Sequence, residues 1–301
     1  MTRTEEQVEL AAIVRSLLDR RADSASVRTA MTSESGFDEA LWQTLCEIGV
    51  TDPDLTLAET CVVLEELGRS LVPTPLLPTA IAASALIADR DPDHLLPRIA
   101  AGEIATIATP EHVLFGAQAQ IVIAYVDGHL TQVEETPSKV AAMDPTTQLA
   151  TLDLDVDPLP DHVRDVALVL TAALQVGGLQ RALDDTVAYS LQRVQFGRPI
   201  GSFQALKHRM ADLLVELELA RSAMLHAVDG LVDGSADAPE RSAVAAAYCT
   251  EAFNHAAGEM IQLHGGIAIT WEHDAHLVFK RAHALGALWG QPHTHRARLA
   301  L

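Results

Sequence analysis

The chain has 301 residues, long enough for two or three compact units around a real core. Apolar residues make up 49% and charged residues 21%, a globular composition that excludes a disordered chain. Lys and Arg number 21 against 41 Asp and Glu; the formal charge of −20 excludes nucleic acid and anionic membranes as bulk-charge partners.

In chain order, Leu10, Ile13, Val14, Leu17 and Leu18 follow the spacing of an amphipathic helix. A second helix is expected from about Phe37 to Ile48, stopping at Gly49, and a third from Leu55 to Leu67, stopping at Gly68. Pro73, Pro75 and Pro78 interrupt the helical pattern, and Thr79 is expected to cap the next helix, Ala80 to Ala88. The period then changes. Ile104–Thr109, Gln120–Val126, His129–Glu134 and Leu149–Leu154 read as short strands, with Asp127-Gly128 as a hairpin turn. From Asp161 a long helix runs to about Gln192, and Phe203 to Leu231 carries an apolar stripe on a second. A third covers about Ser242 to Leu263, and a fourth begins near Trp271. Long amphipathic helices joined by short loops predict a four-helix bundle. The fold class expected is mainly α with a small β domain: an N-terminal helical domain (1–102), an antiparallel β unit (103–158) and a C-terminal four-helix bundle (159–301).

Cys46, Cys61 and Cys249 are too few and too scattered for a disulfide framework, which predicts a reducing, cytoplasmic setting. The start MTRTEEQVEL lacks an apolar core behind a basic stretch, so no signal peptide is expected. The longest apolar stretch, Leu76 to Ala88, is too short for a bilayer span, so no membrane partner is expected.

Two segments carry chemistry. Arg193 to Gln204 (RVQFGRPIGSFQ) is a tight corner between two long helices, where two guanidinium groups meet the free amides of a helix start. On these features it is either an anion site or a solvated turn. Gln262 to Gly266 (QLHGG) ends a helix with a glycine pair, either a plain helix stop or a point of close backbone approach, beside an amide that can read a polar ring edge.

In this order and architecture, the two segments resemble the acyl-CoA dehydrogenase family. The resemblance rests on Arg-x-x-Phe-Gly-x-Pro-Ile-x-x-Phe-Gln (Arg193 to Gln204), Met-Ala-Asp (Met210 to Asp212), Gln-x-x-Gly-Gly (Gln262 to Gly266) and Phe-Lys-Arg-Ala (Phe279 to Ala282). Leu64 to Arg69 also looks like the family's helix ahead of a proline-rich stretch. The resemblance implies FAD shared at a subunit interface. Arg193 would contact the pyrophosphate, while Gln195, Phe196 and Gln204 would help to seat the cofactor. Gln262, Gly265 and Gly266 would hold the adenosine half of an FAD whose flavin lies in the neighbouring subunit.

The sequence departs from the family where chemistry is done. The family's carboxylate base removes the α-proton of an acyl-CoA while flavin takes the β-hydride. Counting from Gly265-Gly266, the usual Glu-Gly falls on Trp289-Gly290, and the alternative base position falls near Ala167. Neither side chain can take a proton, so no catalytic residue is assigned. The flavin-cradling Thr-Glu-Pro-x-x-Gly-Ser segment is reduced to Thr109-Pro110-Glu111, and the β unit is shorter than the family's. The expectation is therefore a subunit of a hetero-oligomeric dehydrogenase of the steroid-degrading type. A full-length partner subunit would supply the flavin pocket and catalytic Glu, an acyl-CoA would be the substrate, and an electron-transfer-flavoprotein-like protein the acceptor. The alternatives are an interaction protein that keeps the fold without FAD, and an independent enzyme with a relocated base. Glu272 is read as a helix-start acid, where the macrodipole lowers basicity. His273 and His276 share a helix face in this reading, but no metal-ligand spacing is present and no metal is assigned.

Overall fold

The computed structural model describes residues 3–91 and 94–299. The first region holds α1 (Glu5–Arg21), α2 (Ser24–Thr32), α3 (Glu39–Glu47), α4 (Leu57–Ser70), α5 (Leu76–Ala88) and α6 (Leu96–Ala100). Side chains of Thr4, Asp23, Asp38 and Thr56 cap α1 to α4, which fixes their starts; α2 and α6 have no counterpart in the sequence reading. Gly68, expected as a stop, lies inside α4. It is buried where α4 crosses the first bundle helix, and a Cβ there would sit 2.2 Å from the Leu174 carbonyl oxygen. The glycine serves close packing, and α4 ends instead at Leu71, with φ 62°. Thr79 is likewise not a cap. Helix α5 begins at Leu76, with Pro78 in the first turn where an N–H needs no partner. The Thr79 hydroxyl donates to the Ala105 carbonyl (3.1 Å) and accepts from the Ala105 N–H (3.3 Å), tying α5 to the β unit.

The β unit comprises β1 (Ala105–Ile107), β2 (Val113–Leu114), β3 (Ile121–Val126), β4 (His129–Gln132), β5 (Ser138–Val140) and β6 (Leu149–Thr151). They form two small sheets, ordered β1-β3-β4 and β2-β6-β5. Asp127-Gly128 turns the β3–β4 hairpin as expected, pairing Val126 with His129. The unit is mixed, however, not antiparallel: β1 pairs β3 in parallel, with Ala105 opposite Ile121. The chain leaves the first sheet to form β2 in the second, so it re-enters running the same way. Local alternation of side chains carries no information about that crossover.

The bundle consists of α7 (Asp161–Gln192), α8 (Gln204–Val232), α9 (Ala238–His264) and α10 (Ala275–Leu285), followed by α11 (Pro292–Arg296). Helix α7 is the axis of the molecule, packed on α4, α5, α8, α9 and α10. It is the one described helix long and apolar enough to cross a membrane, but 83% of its most apolar stretch is buried in the protein. One cluster of buried apolar side chains runs from Val14 through Leu64, Ile123 and Leu170 to Phe253, so the helical, β and bundle regions share a core.

Candidate functional site

Helices α7 and α9 end side by side. Tyr189, in the last turn of α7, stacks on His264 at the end of α9, with ring centroids 4.3 Å apart, and its hydroxyl donates to the His264 carbonyl (3.3 Å). The two motifs found in the sequence therefore meet at one end of the bundle. Beyond α7, β7 (Val194–Gln195) and β8 (Arg198–Pro199) form a two-stranded hairpin that stands out from the body. Phe196 (φ 53°) and Gly197 (φ 79°) make its turn, and the Phe196 side chain is 92% exposed. Its ring meets only the edge of Phe203, with centroids 6.1 Å apart, and a left-handed φ is costly for an aromatic residue. Helix α8 then starts at Gln204 with no side-chain cap on its amides. The Arg198 guanidinium lies 4.1 Å over the Phe203 ring. Arg193 is exposed, and most arginines of the chain pair with a carboxylate, whereas among the described residues Arg193 and Arg198 do not.

Across from this corner, Gly265 ends α9 at φ 67° and ψ −146°, a conformation that glycine adopts freely. A short 3-10 turn, Gly265–Ile269, follows. Gln262, Gly265 and Gly266 are all exposed, and a Cβ built on either glycine would meet nothing within 4 Å. Gln195 and Gln204 are exposed too. Leu191, Val194, Ile267, Ile269 and Trp271 add exposed apolar surface around them. Beside the motifs lies a shallow basin floored by Tyr189, His264 and His273. An open groove of about 980 Å³ lies elsewhere, between α3 and the β unit, and none of the predicted site residues lines it.

The centre of the molecule is the opposite case. The Trp289 indole N–H donates to Thr171 Oγ1 (2.8 Å), and its ring packs 5.4 Å from that of His112. A separate space lined by Leu77, Phe115, Thr147, Leu174, Arg281 and Leu288 amounts to about 30 Å³, room for a water and not for a ring system. Arg281 is 4% exposed. It donates to Thr146 Oγ1 (2.8 Å) and lies 3.5 Å from the fully buried Asp144.

A family model described as the acyl-CoA dehydrogenase C-terminal domain matches residues 166–300. Acyl-CoA dehydrogenase IpdE2 of Mycobacterium tuberculosis is 46% identical over 97% of this chain and 95% of that protein. The chain belongs to the acyl-CoA dehydrogenase family. FadE34 of the same organism, also named an acyl-CoA dehydrogenase, is 32% identical over 96% of this chain, which spans 47% of that longer protein. Among solved structures, the Tcur3481-Tcur3483 steroid ACAD (a G363A variant) superposes with a TM-score of 0.85 at 26% identity, covering 98% of this chain and 96% of that one. The ChsE4-ChsE5 complex of M. tuberculosis gives 0.85 at 21% identity, covering 99% and 96%, which speaks for the fold alone.

Within this family, whose members are oxidoreductases acting on acyl-CoA, the positions counted for a base hold Trp289, bonded to Thr171, and Ala167, buried in α7. Glu272 departs from its expected place. Helix α10 begins at Ala275, so Glu272 sits in the preceding turn, fully exposed, and its carboxyl is held below the usual range by hydrogen bonding from Thr270 and from its own N–H. The late start follows from the 3-10 turn and from the Asp274 carboxylate, which Ser24 and Arg28 bind instead of leaving it to cap the helix. His273 therefore precedes α10 and does not share a helix face with His276: its ring packs on His264 (4.6 Å), while that of His276 packs on Trp271 (4.6 Å). Burial lowers the pKa of both His264 and His276. The sequence reading missed Tyr189 and His264. Their positions four residues before Arg193 and two after Gln262 were visible, but their contact depends on bundle register.

Proposed function

We propose that this chain is one subunit of a hetero-oligomeric, FAD-dependent acyl-CoA dehydrogenase that introduces an α,β double bond into a CoA thioester. The carrying observation is the contrast between an exposed, unpaired donor set at the bundle end and a filled centre. In this reading Arg193 and Arg198, with the uncapped amides of α8, hold the pyrophosphate of an FAD lying mostly in a partner subunit. Gln195, Phe196 and Gln204 seat it, while Gln262 and the open backbone of Gly265 and Gly266 hold the adenosine half. The donor set fits: cations and free amides for phosphates, side-chain-free backbone for close approach. When bound, FAD would supply acceptance of the β-hydride. The full-length partner contributes the flavin pocket and the catalytic Glu, and an electron-transfer-flavoprotein-like acceptor takes the electrons onward. The two-component name of the Tcur3481-Tcur3483 steroid ACAD and its similarity to this chain support both the partner and a bulky, steroid-derived acyl group. Three unpaired cysteines suit a cytoplasmic setting.

The test is purification of the chain alone and co-expressed with a full-length acyl-CoA dehydrogenase from the same organism. The complex is expected to be yellow and to oxidise acyl-CoA, and Arg193→Ala to lose the colour. A lone chain that binds stoichiometric FAD and oxidises acyl-CoA overturns the reading. A colourless, stable complex favours the interaction protein without FAD.

A further inference from the structure

Between Gly265 and His273 only Ala268 is buried, so the segment has little packing of its own to fix its path. Its shape depends on its two ends. At the start, His264 lies between Tyr189 (4.3 Å) and His273 (4.6 Å), and its Nδ1 pairs with the Met260 carbonyl (2.7 Å). At the far end stands Asp274. Its Oδ1 accepts from Ser24 Oγ (2.8 Å) and from Arg28 Nε and Nη2 (3.2 and 2.7 Å), and its Oδ2 faces Arg181 Nη2 (3.5 Å). The side chain is 12% exposed and joins three elements, α2, α7 and the entry to α10. Burial alone would raise the Asp274 carboxyl; hydrogen bonds from Ser24 and Arg28 and the charges of Arg28 and Arg181 outweigh it and keep the group below the usual range.

We infer that Asp274 is a positioning residue for the Gln262–Gly266 segment, setting the path of the glycine strap toward a dinucleotide without touching it. The inference rests on the proposed FAD role of that segment. Three features carry it: a two-arginine, one-hydroxyl clamp on a single carboxylate, its place at the end of a largely exposed strap whose other holds are ring contacts of Trp271 and His273, and the link through α7 to the Arg193 corner. Arg181 and Tyr189 lie on the same last three turns of α7 that lead into Arg193. One clamp therefore references both halves of the candidate site to the same helix. An asparagine at 274 keeps the size and one acceptor oxygen but gives up the charge that holds two guanidinium groups.

The experiment uses the complex with the full-length partner, stripped of flavin and titrated with FAD, comparing wild type, Asp274→Asn, Arg28→Gln and Arg193→Ala. Asp274→Asn is expected to raise the FAD Kd at least tenfold, with a smaller rise for Arg28→Gln. Saturating FAD should restore the wild-type flavin spectrum and kcat, leaving KM for acyl-CoA unchanged. The melting temperature of the lone chain and its assembly with the partner should stay close to wild type. An FAD Kd for Asp274→Asn within twofold of wild type overturns the inference, as does a variant that fails to fold or assemble, because the role is then structural. If Arg193→Ala loses FAD and Asp274→Asn does not, only this inference fails. If neither variant loses affinity, the cofactor reading fails with it.

Discussion

The open end and the closed centre of this chain are built on opposite terms. At the centre, Trp289 finds Thr171, Arg281 finds Thr146 and Asp144, and about 30 Å³ of space remains. At the end of the bundle, Phe196 stands almost bare, Arg193 meets no carboxylate among the described residues, and two glycines face empty space. The centre pairs its indole and its guanidinium within the chain, although the neighbouring His112 Nε2 is enclosed without a partner, whereas the donors of the open end face outward. On the proposed function, the open end is where a partner and its cofactor would dock, and the centre holds Trp289 at the position where the family resemblance implies a base.

The largest effect is expected at the centre. Asp144 is fully buried against a buried arginine, and burial pushes the Arg281 guanidinium down while Asp144 resists that shift. Removing one partner of such a pair leaves an uncompensated charge, so Asp144→Ala should cost about 3–5 kcal/mol. Urea denaturation of the lone chain measures it. A cost below about 1 kcal/mol would mean that the centre is looser than its contacts imply.

The legible part of this structure was periodic or local. The 3.6-residue spacing located α7, α8 and α9 to within a few residues, and Asp127-Gly128 named its hairpin. The errors share a cause: each residue's role was set by a distant neighbour. Gly68 packs on Leu174, Thr79 bonds Ala105, and β1 finds β3 in parallel only because β2 leaves the sheet. At the candidate site, residue types that suit phosphates could be read from Arg193 to Gln204. The Tyr189–His264 stack and the Asp274 clamp could not, since they join residues 75 and about 250 positions apart through tertiary packing alone.

A middle-sized effect separates the regions by pH. Burial lowers the pKa of His112 at the centre, and the Nε2 of that ring is enclosed without a partner. The folded state therefore holds His112 neutral, and protonation favours unfolding. With the folded value below the ordinary 6.5, its contribution is fully present above pH 6.5 and is lost as pH falls toward the lowered value. The melting temperature of the lone chain should be flat from pH 8 to about 6.5 and fall by degrees below it. His112→Gln should flatten part of that fall. A slope unchanged by the substitution would place the acid sensitivity at the other histidines lowered by burial, His264 and His276 at the open end or His295 beside Gly290.

The smallest expected change in the chain itself is the most telling for its partner. Phe196 is 92% exposed at a hairpin tip, so Phe196→Ser removes little packing at home and should alter the lone chain's stability by no more than about 0.5 kcal/mol. An aromatic held in a left-handed turn is the kind of anchor that interfaces bury, and its loss there typically costs more than about 1 kcal/mol. Sedimentation or calorimetric titration of the two subunits should therefore show association weakened several-fold or more, while urea unfolding of the lone chain stays put. Loss of stability without loss of association would mean that Phe196 packs at home in solution, and the open end would then be an ordinary surface loop. Loss of association alone would give the strained turn a purpose: it holds the ring where only another chain can cover it.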